Sequence, residues 1–380
     1  MFRKLLIPIS LILIGIQTAP IRAETGQDTL VDDQAIVVEM KSTSTLGSLI
    51  TQLKQERVVY VGESHAKYGD HLMQLAIIKG LYKNNSKLAI GVEWFQKPHQ
   101  KHLDEFIAGN ISETDLLKHT DYFNRWRFDY RLYRPIIRFA AEKKIPLIAL
   151  NAPAELTDAI KKSGIDGLKK KLKEQLPDSY DYSDKTYEKY LKKIFESHPN
   201  KEKKKVFRRF LEVQLTWDET MAQQAAEYLK SHPQHHMAIL AGRGHIDSRS
   251  GIPNRVERRT GLRGKIILVG QQNISDKDAA DYVLFAKSKQ LPPSGMIGVM
   301  LDTKGKEIKI IGFSKESSAK KAGVNKGDTI VKINDARINS YADLKLAMLD
   351  KAPEDKIMLV VKRKGGEQSY TIELKARSHP

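Results

Sequence analysis

The chain contains no cysteine among its 380 residues. That absence excludes disulfide bonds, a cysteine nucleophile and any metal site built on thiolates. It also leaves no cysteine to carry a lipid after cleavage of a signal. A metal ion or a cofactor must therefore be held by histidine, tyrosine, methionine or carboxylate side chains.

Several catalytic and binding motifs are missing as well. No G-x-S-x-G segment is present, which disfavours a serine hydrolase of the α/β-hydrolase type. The commonest zinc-protease pattern, H-E-x-x-H, and the phosphate-binding P-loop are also absent. Without a helix-turn-helix, zinc-finger or aromatic RNA-binding signature, we expect no nucleic-acid partner, despite a formal net charge of +18. Lysine supplies most of this charge, and a solvated lysine-rich surface explains it most simply.

The first 23 residues have the composition of an export signal. A basic start at Arg3 and Lys4 precedes the mostly apolar run 5–16, and small residues up to Ala23 offer a cleavage site. The apolar run is too short to span a bilayer comfortably, and no comparable run follows it. We therefore expect cleavage after Ala23 and a soluble protein in the periplasm or otherwise outside the cytoplasm, with at most peripheral membrane contact.

Apolar runs short enough to be buried strands alternate with helical patterns over the first two thirds of the chain. The expected strands are residues 58–61, 88–92, 145–150, 237–241 and 265–269. Helical patterns lie between them, notably at residues 71–83 and 134–143. Strands separated by helices indicate βαβ units, so we expect an α/β fold with a mainly parallel sheet.

Three segments depart from this alternation. Residues 24–41 are polar and predict a loose leader, whereas residues 156–231 show no strand pattern and predict a helical cap inserted between two strands. Over residues 276–294 the pattern loosens and ends in two prolines, which predicts an interdomain linker. The first domain is therefore expected to span residues 46–275.

Short strand patterns and two helical patterns follow the linker. Within them, residues 317–334 read SSAKKAGVNKGDTIVKIN, which is similar to the PDZ pattern SPAxxAGLxxGDxIxxING. Residues 295–377 therefore resemble a PDZ domain, a small and mostly β module. In such domains a peptide adds a strand beside a carboxylate-binding loop, so the resemblance predicts a peptide or protein partner. The matching loop here consists of Gly298, Val299, Met300 and Leu301. Packing against the first domain is the alternative role of this module.

Two expected strands of the first domain end in the same way. One is followed by the sequence GESH, residues 62–65, and the other by GRGH, residues 242–245. Parallel sheets bind their ligands just beyond the carboxyl ends of the strands, so His65 and His245 are expected to meet in one cleft. Three further polar residues fall at expected strand ends, namely Glu63, Glu93 and Asn151.

Imidazoles and carboxylates that converge on one cleft suit two chemistries. The first is a divalent metal ion that activates water, with His65, His245 and Glu63 as ligands and Glu63 or Glu93 as general base. The second is haem, with an axial histidine or tyrosine on the iron and basic side chains on the propionates. The candidate haem-binding residues are His65, His71, Glu93, Asn151, Arg243 and His245. A surface position for His71 and a turn-shaping role for Asn151 are the alternatives.

Seven strings in order resemble the ChaN-like family of haem-binding proteins, in the group that also contains Tiki, TraB and erythromycin esterase. They are VGESH at 61–65, GVEWF at 91–95, YRPI at 133–136, IPLIALNAP at 145–153, WDETMA at 217–222, AGRGHI at 241–246 and GIP at 251–253. The likeness runs from about residue 46 to residue 270. It implies an α/β fold, haem as the cofactor, iron handling outside the cytoplasm and often a homodimer.

These observations favour an exported haem-binding protein in haem or iron acquisition, with a PDZ domain that recruits a peptide or protein partner. A metal-dependent hydrolase or peptidase is the alternative, with a divalent ion in the same cleft. A non-catalytic periplasmic adaptor is the third interpretation.

Overall fold

The computed structural model describes residues 36–39, 42–197, 203–270, 279–303, 305 and 307–376. The export signal predicted for residues 1–23 lies outside this part of the chain. Within the described residues, no helix is both long and apolar enough to cross a lipid bilayer.

The first part of the chain builds one sheet with helices around it. Its strands are β1 Ile36–Glu39, β2 Ser42–Thr45, β3 Val58–Glu63, β4 Leu88–Gln96, β5 Leu147–Asn151, β6 His236–Gly242, β7 Lys265–Val269 and β8 Tyr282–Phe285. Its helices are α1 Leu46–Gln52, α2 Tyr68–Asn84, α3 Gln100–Ala108, α4 Glu113–His119, α5 Tyr122–Arg125, α6 Arg134–Lys143, α7 Ala154–Ser163, α8 Lys170–Lys173, α9 Lys185–Ser197, α10 Lys203–Ser231 and α11 Ile252–Thr260. A short 3₁₀ turn, Arg243–His245, follows β6 directly.

The strand order in this sheet is β2-β1-β8-β7-β3-β6-β4-β5. The six strands from β8 to β5 run parallel, and the hairpin of β1 and β2 is added antiparallel at the β8 edge. β3 is buried along its whole length, which is typical of a parallel sheet covered on both faces. Val59 and Val61 belong to one apolar cluster and Val58 and Tyr60 to the other, so the alternating side chains of β3 fill two cores.

β3 and β6 are direct neighbours, and this adjacency positions the two similar segments. The ladder pairs Gly62 with Ala241 and Glu63 with Gly242, so both strands end at the same level. Neighbouring strands lie about 4.8 Å apart. The GESH and GRGH segments therefore leave the sheet side by side at its carboxyl edge.

The α/β fold with a mainly parallel sheet is confirmed, and the helical cap over residues 156–231 contains helices only in its described part. Two expectations are wrong. Residues 36–39, within the predicted leader, form β1 and pair with β8. β8 itself lies inside the predicted linker 276–294 and is the sixth parallel strand. Both strands have four residues, too few for a periodic pattern to distinguish them from loop sequence.

The second part of the chain is an antiparallel sheet with two helices, as the PDZ resemblance predicts. Its strands are β9 Val299–Asp302, β10 Ile308–Phe313, β11 Thr329–Ile333, β12 Ala336–Arg337, β13 Lys356–Arg363 and β14 Gly366–Glu373, and its helices are α12 Ser318–Lys321 and α13 Tyr341–Met348. The strand order is β14-β13-β11-β10-β9, with β12 paired to β11. Gly323 and Gly327 both have φ above +90°, a conformation that glycine adopts without steric cost.

Candidate functional site

Glu63 ends β3 with its carboxylate buried under the loop that carries His65. The Nδ1 atom of His65 lies 2.6 Å from Oε1 of Glu63. The second carboxylate oxygen, Oε2, is buried and has no hydrogen-bond partner among the described residues, and its distance to Nε2 of His71 is 3.7 Å. Because a buried carboxylate oxygen without a donor is costly, this position is suited to receive a cation or a proton.

Glu93 reaches the same position from β4. Its Oε2 atom accepts a hydrogen bond of 2.7 Å from the backbone nitrogen of Gly242. A Cβ atom at Gly242 would lie 2.6 Å from Cε1 and 2.8 Å from Nε2 of His65, so glycine is needed for this close approach. One ligand atom each from Glu63, His65 and Glu93 lies within 4.8 Å of the others. Two carboxylates and an imidazole at this spacing form a donor set suited to a divalent cation.

His245 enters the cleft from the 3₁₀ turn after β6, the strand between β3 and β4, and its ring is held by the cap. Its Nδ1 atom lies 2.5 Å from Oδ1 of Asp218 in α10, and its Nε2 atom lies 3.5 Å from Oε1 of Glu93. The second oxygen of Asp218 accepts a hydrogen bond from the hydroxyl of Tyr187 in α9. Asp218 is fully buried, so α9 and α10 together fix the orientation of the His245 ring.

The acidic groups of the cleft favour the charged form of both imidazoles. Burial lowers the pKa of His245, but the charges of Asp218 and Glu93 outweigh burial and raise this pKa to about 9. Burial also opposes protonation of His65, yet its hydrogen bond to Glu63 and the charge of Glu93 raise its pKa above the usual value. A divalent cation that binds these imidazoles must therefore displace protons from them.

Aromatic side chains from the loop after α5 form a rim around His65. The centroid of the His65 ring lies 5.0 Å from that of Trp126, in an edge-on contact, and 4.7 Å from that of Phe128. The ring of Tyr133 lies behind them, with its centroid 4.4 Å from that of His71. Trp126 and Phe128 are both partly buried, and we call these two residues the aromatic rim.

Tyr190 of α9 is an exposed residue beside the cleft, with 41% of its surface accessible. Its hydroxyl lies 4.0 Å from the position that a Cβ atom of Gly244 would take. Burial and the charge of Asp247 raise the pKa of Tyr190, and the positive charge of Arg243 partly opposes this rise. The guanidinium of Arg243 lies 3.6 Å from the carboxylate of Asp247. A phenol and a guanidinium therefore lie together at the cap side of the cleft.

Four of the predicted site residues meet in the cleft, namely Glu63, His65, Glu93 and His245. His71 lies one layer behind, where its Nε2 atom bonds to the carbonyl of His65 at 3.1 Å. Asn151 donates to the carbonyl of Glu93 at 3.0 Å, so it orients β4 and does not enter the cleft. Arg243 lies at the cap side, as described above.

The predicted peptide loop lies at the start of β9. Gly298 has φ of +82°, and Met300 is 56% exposed. β9 pairs with β10 on one side only within the described residues, so its other edge is open.

Sequence reasoning missed Asp218, Tyr187 and the aromatic rim. The available signal for Asp218 was its place on the buried face of a long helix, next to Leu215 and Met221, where an unpartnered carboxylate would be costly. The rim residues lie in a loop without periodicity, so no pattern could assign them to the cleft.

Two family models match the chain. The model described as haem-binding uptake, Tiki superfamily, ChaN matches residues 49–256, and the PDZ domain model matches residues 295–374. No curated protein matches the chain.

Solved structures resemble each of the two parts. A structure described as cofacial haem binding to ChaN of Campylobacter jejuni has 19% identity and a TM-score of 0.55, and the match covers 67% of this chain and 98% of that one. An HtrA-type protease, AlgW with a decapeptide, has 22% identity over 23% of this chain and 31% of its own, with a TM-score of 0.22. The HtrA3 PDZ domain bound to a phage-derived ligand has 22% identity over 22% of this chain and 86% of its own, with a TM-score of 0.20. The first of these shows the fold of the α/β domain.

Proposed function

The chain belongs to the haem-binding uptake family of the Tiki superfamily that includes ChaN, and from this premise we propose that it binds haem outside the cytoplasm in haem or iron acquisition. The observation that carries this proposal is the family match, which spans residues 49–256. The predicted export signal at residues 1–23 supports the location. A homodimer that encloses haem is part of the proposal.

The orientation of the side chains limits which of them can hold haem iron. His65 directs Nδ1 to Glu63 and packs Nε2 against Gly242, and His245 bonds through Nδ1 to Asp218. The Nε2 atom of His245 lies 3.5 Å from Oε1 of Glu93, so both nitrogens of each imidazole face groups of the protein. The Tyr190 side chain, by contrast, is exposed.

We therefore assign haem to the cap side of the cleft. A phenolate oxygen is an established ligand of haem iron, so Tyr190 would hold the metal. Arg243 lies near that hydroxyl and would hold a propionate through charge-assisted hydrogen bonds. When bound, haem supplies an iron centre, while the residues of this chain bind it, orient it and exclude water.

A hemin titration of the full chain tests this assignment. We expect saturable binding with a shift of the Soret band in the wild type. Tyr190→Phe removes the ligand oxygen and keeps the ring, so we expect at least a tenfold loss of affinity, about 1.4 kcal/mol.

Tyr182→Phe is the matched control, because Tyr182 is also an exposed phenol of the cap, with 49% of its surface accessible. Its affinity for hemin should equal that of the wild type. Equal affinity in Tyr190→Phe would rule out the proposed ligand, and a wild type without saturable hemin binding would overturn the proposal as a whole. Sedimentation with and without hemin measures whether two copies associate.

A metal-dependent hydrolase or peptidase is the second candidate, and one observation favours it. The carboxylates of Glu63 and Glu93 and the imidazole of His65 approach within 4.8 Å, and the Oε2 atom of Glu63 lacks a partner among the described residues. A small cation fits this buried position better than a macrocycle does. In this scheme the cation would activate water, and a glutamate would act as general base.

Calorimetric titration of chelator-treated protein with Zn²⁺ or Mn²⁺ separates the two candidates. A metal site predicts binding near one ion per chain that is lost in Glu63→Gln and kept in Tyr190→Phe. The hydrolase proposal further requires peptide or ester cleavage that depends on the added ion. Metal binding without cleavage leaves haem binding as the function and gives the cation a structural role.

The PDZ domain is proposed to bind a peptide or protein partner through β9. The open edge of this strand can accept a further strand through backbone hydrogen bonds. Met300→Pro removes a backbone donor on this edge strand and should reduce partner capture, whereas hemin binding should persist. If partner capture is the chain's only activity, the adaptor interpretation holds.

A further inference from the structure

The PDZ domain contacts the α/β domain through α13. The residues of this segment that pack against the apolar cluster of α4 and α5 are Tyr341, Ala342, Leu346 and Leu349. Two ion pairs join the domains around this contact. The Nζ atom of Lys118 lies 2.7 Å from Oδ1 of Asp343, and the guanidinium of Arg134 pairs with the carboxylate of Asp350. The helix is therefore held on the first domain by apolar packing and by opposite charges.

Residues in and directly after α5 connect this domain contact to the cleft. The ammonium group of Lys345 in α13 lies 6.0 Å from the centroid of the Phe123 ring in α5. Trp126 follows α5 directly, and its ring is in edge-on contact with His65. Phe123 and Trp126 are thus part of one short segment that touches α13 at one end and the site at the other.

The other face of α13 belongs to the PDZ core. Four of its residues share an apolar cluster with β9, namely Tyr341, Leu344, Ala347 and Met348. The residues of β9 in this cluster are Val299 and Leu301. Because β9 is an edge strand, a peptide added to it would extend the sheet whose apolar cluster includes α13. One helix therefore contacts both the PDZ core, which includes β9, and the segment that carries the aromatic rim.

We propose that the PDZ domain regulates the cleft of the α/β domain through α13. In the docked state, α13 fixes Phe123 and thereby holds the ring of Trp126 against His65. His65 packs against Gly242, which directly precedes Arg243, so a partner segment that adds to β9 and shifts α13 releases the Trp126 ring and weakens hemin binding beside Arg243. This regulation rests on the proposed function, because hemin is the ligand whose affinity is expected to change. Coupling of this kind is reciprocal, so hemin in turn disfavours the partner.

The test is a double charge reversal in the full chain, Lys118→Glu with Asp350→Lys. Each substitution replaces one attractive pair across the domain contact with a repulsive one. Neither residue contributes to the cleft or to β9. We expect amide hydrogen exchange of residues 122–128 to accelerate about fivefold and the dissociation constant for hemin to rise by a similar factor, at the low end of known couplings.

The matched control is Lys171→Glu with Glu367→Lys, which makes the same charge changes at exposed positions of α8 and β14. It should leave both the exchange rates and the hemin affinity unchanged. Thermal melting of the two variants checks that each remains folded.

Three outcomes would overturn the regulation. In one, the interface variant behaves as the control does. In another, exchange accelerates within α13 alone and not at residues 122–128. In the third, hemin binds normally while residues 122–128 exchange faster. If the wild type does not bind hemin, the proposed function fails, and the exchange experiment still decides whether α13 controls the rim.

Discussion

His65 and His245 arrive at the cleft from neighbouring strands that end in similar sequences, yet the two imidazoles are held in different ways. His65 is oriented by Glu63, two residues earlier in the same segment, and 27% of its side chain is exposed. His245 is oriented by Asp218, which lies in a cap helix, and only 15% of its side chain is exposed. One partner is local and the other comes from a different part of the fold.

This difference indicates that the half of the cleft around His65 and the half around His245 have different roles. The His65 half contains a carboxylate oxygen that has no hydrogen-bond partner among the described residues, and two partly buried aromatic rings border it, as a cation site requires. In the His245 half, the donors on Asp218 come from both His245 and Tyr187, as a structural element requires. We therefore expect substitutions near His245 to cost stability and substitutions near His65 to cost the binding of a cation.

The largest contrast in stability is expected between Asp218→Ala and Glu63→Gln. Asp218→Ala leaves the buried donors of His245 and Tyr187 without an acceptor, which should lower the free energy of unfolding by about 3 to 5 kcal/mol. Glu63→Gln replaces a buried carboxylate, one oxygen of which has no partner among the residues that the structure describes, so we expect the free energy of unfolding to change by less than about 1 kcal/mol.

Urea unfolding followed by tryptophan fluorescence measures this contrast, because all three tryptophans lie in the α/β domain. Asp218→Asn is the control, since it keeps one acceptor and should cost less than Asp218→Ala. If Asp218→Ala and Glu63→Gln lower the free energy of unfolding equally, the two halves of the cleft do not have different roles.

Gly62, the last residue but one of β3, and Gly242, the last residue of β6, give the second contrast. A Cβ atom at Gly242 would overlap the His65 ring, whereas one at Gly62 would lie 2.7 Å from the flexible end of Leu268 and 3.2 Å from the Cα atom of Arg243. Gly242→Ala should therefore displace His65 and weaken metal binding in the cleft about tenfold, which is about 1.4 kcal/mol. Gly62→Ala should leave this affinity unchanged, and calorimetry with Zn²⁺ on both variants compares them.

The third contrast concerns pH in chelator-treated protein. The pKa of His245, about 9, exceeds the value of about 6.5 expected in the unfolded chain. A raised pKa in the folded state means that its stabilising contribution is complete below pH 6.5 and is lost as pH rises through 9. We expect the free energy of unfolding to fall by about 1 to 3 kcal/mol over this range.

In Asp218→Asn most of this loss between pH 6.5 and 9 should disappear. NMR titration of the imidazole Cε1 protons should show the higher midpoint for His245 and its return towards the usual value in the variant. A midpoint of His245 near 6.5 in the wild type would show that the two carboxylates do not stabilise its charge.

The smallest contrast is between two phenols behind the imidazoles. Tyr187 donates to the Asp218 carboxylate, so Tyr187→Phe should cost about 1.5 kcal/mol of unfolding free energy. The hydroxyl of Tyr133 lies 3.5 Å from the carbonyl of His65, so Tyr133→Phe should cost less than about 0.5 kcal/mol. Urea unfolding gives both values. If Tyr133→Phe costs more unfolding free energy than Tyr187→Phe, the structural half of the cleft is the one around His65.

The contrast between a local partner for His65 and a distant one for His245 also explains which parts of the site the sequence predicts. Parallel strands end at one edge of a sheet, so Glu63, His65 and His245 were expected to converge from the strand pattern alone. The pairing of His245 with Asp218 depends on how the cap folds onto the sheet, and spacing along the chain carries no such information. The PDZ domain could be recognised from the sequence because its turns require glycine at positions 323 and 327. The position of α13 on α5 depends on tertiary packing, which no local pattern encodes.

The direct pairing of β3 with β6 has a consequence for how the protein matures. The ladder joins residues that are about 180 positions apart, so the cleft closes only after the cap has been made and the chain has returned to the sheet. Contacts between residues this far apart form slowly, because closing a long loop costs entropy before the contacts stabilise the fold. Partly folded chains therefore lack a cleft, and ligand capture marks molecules whose folding is complete.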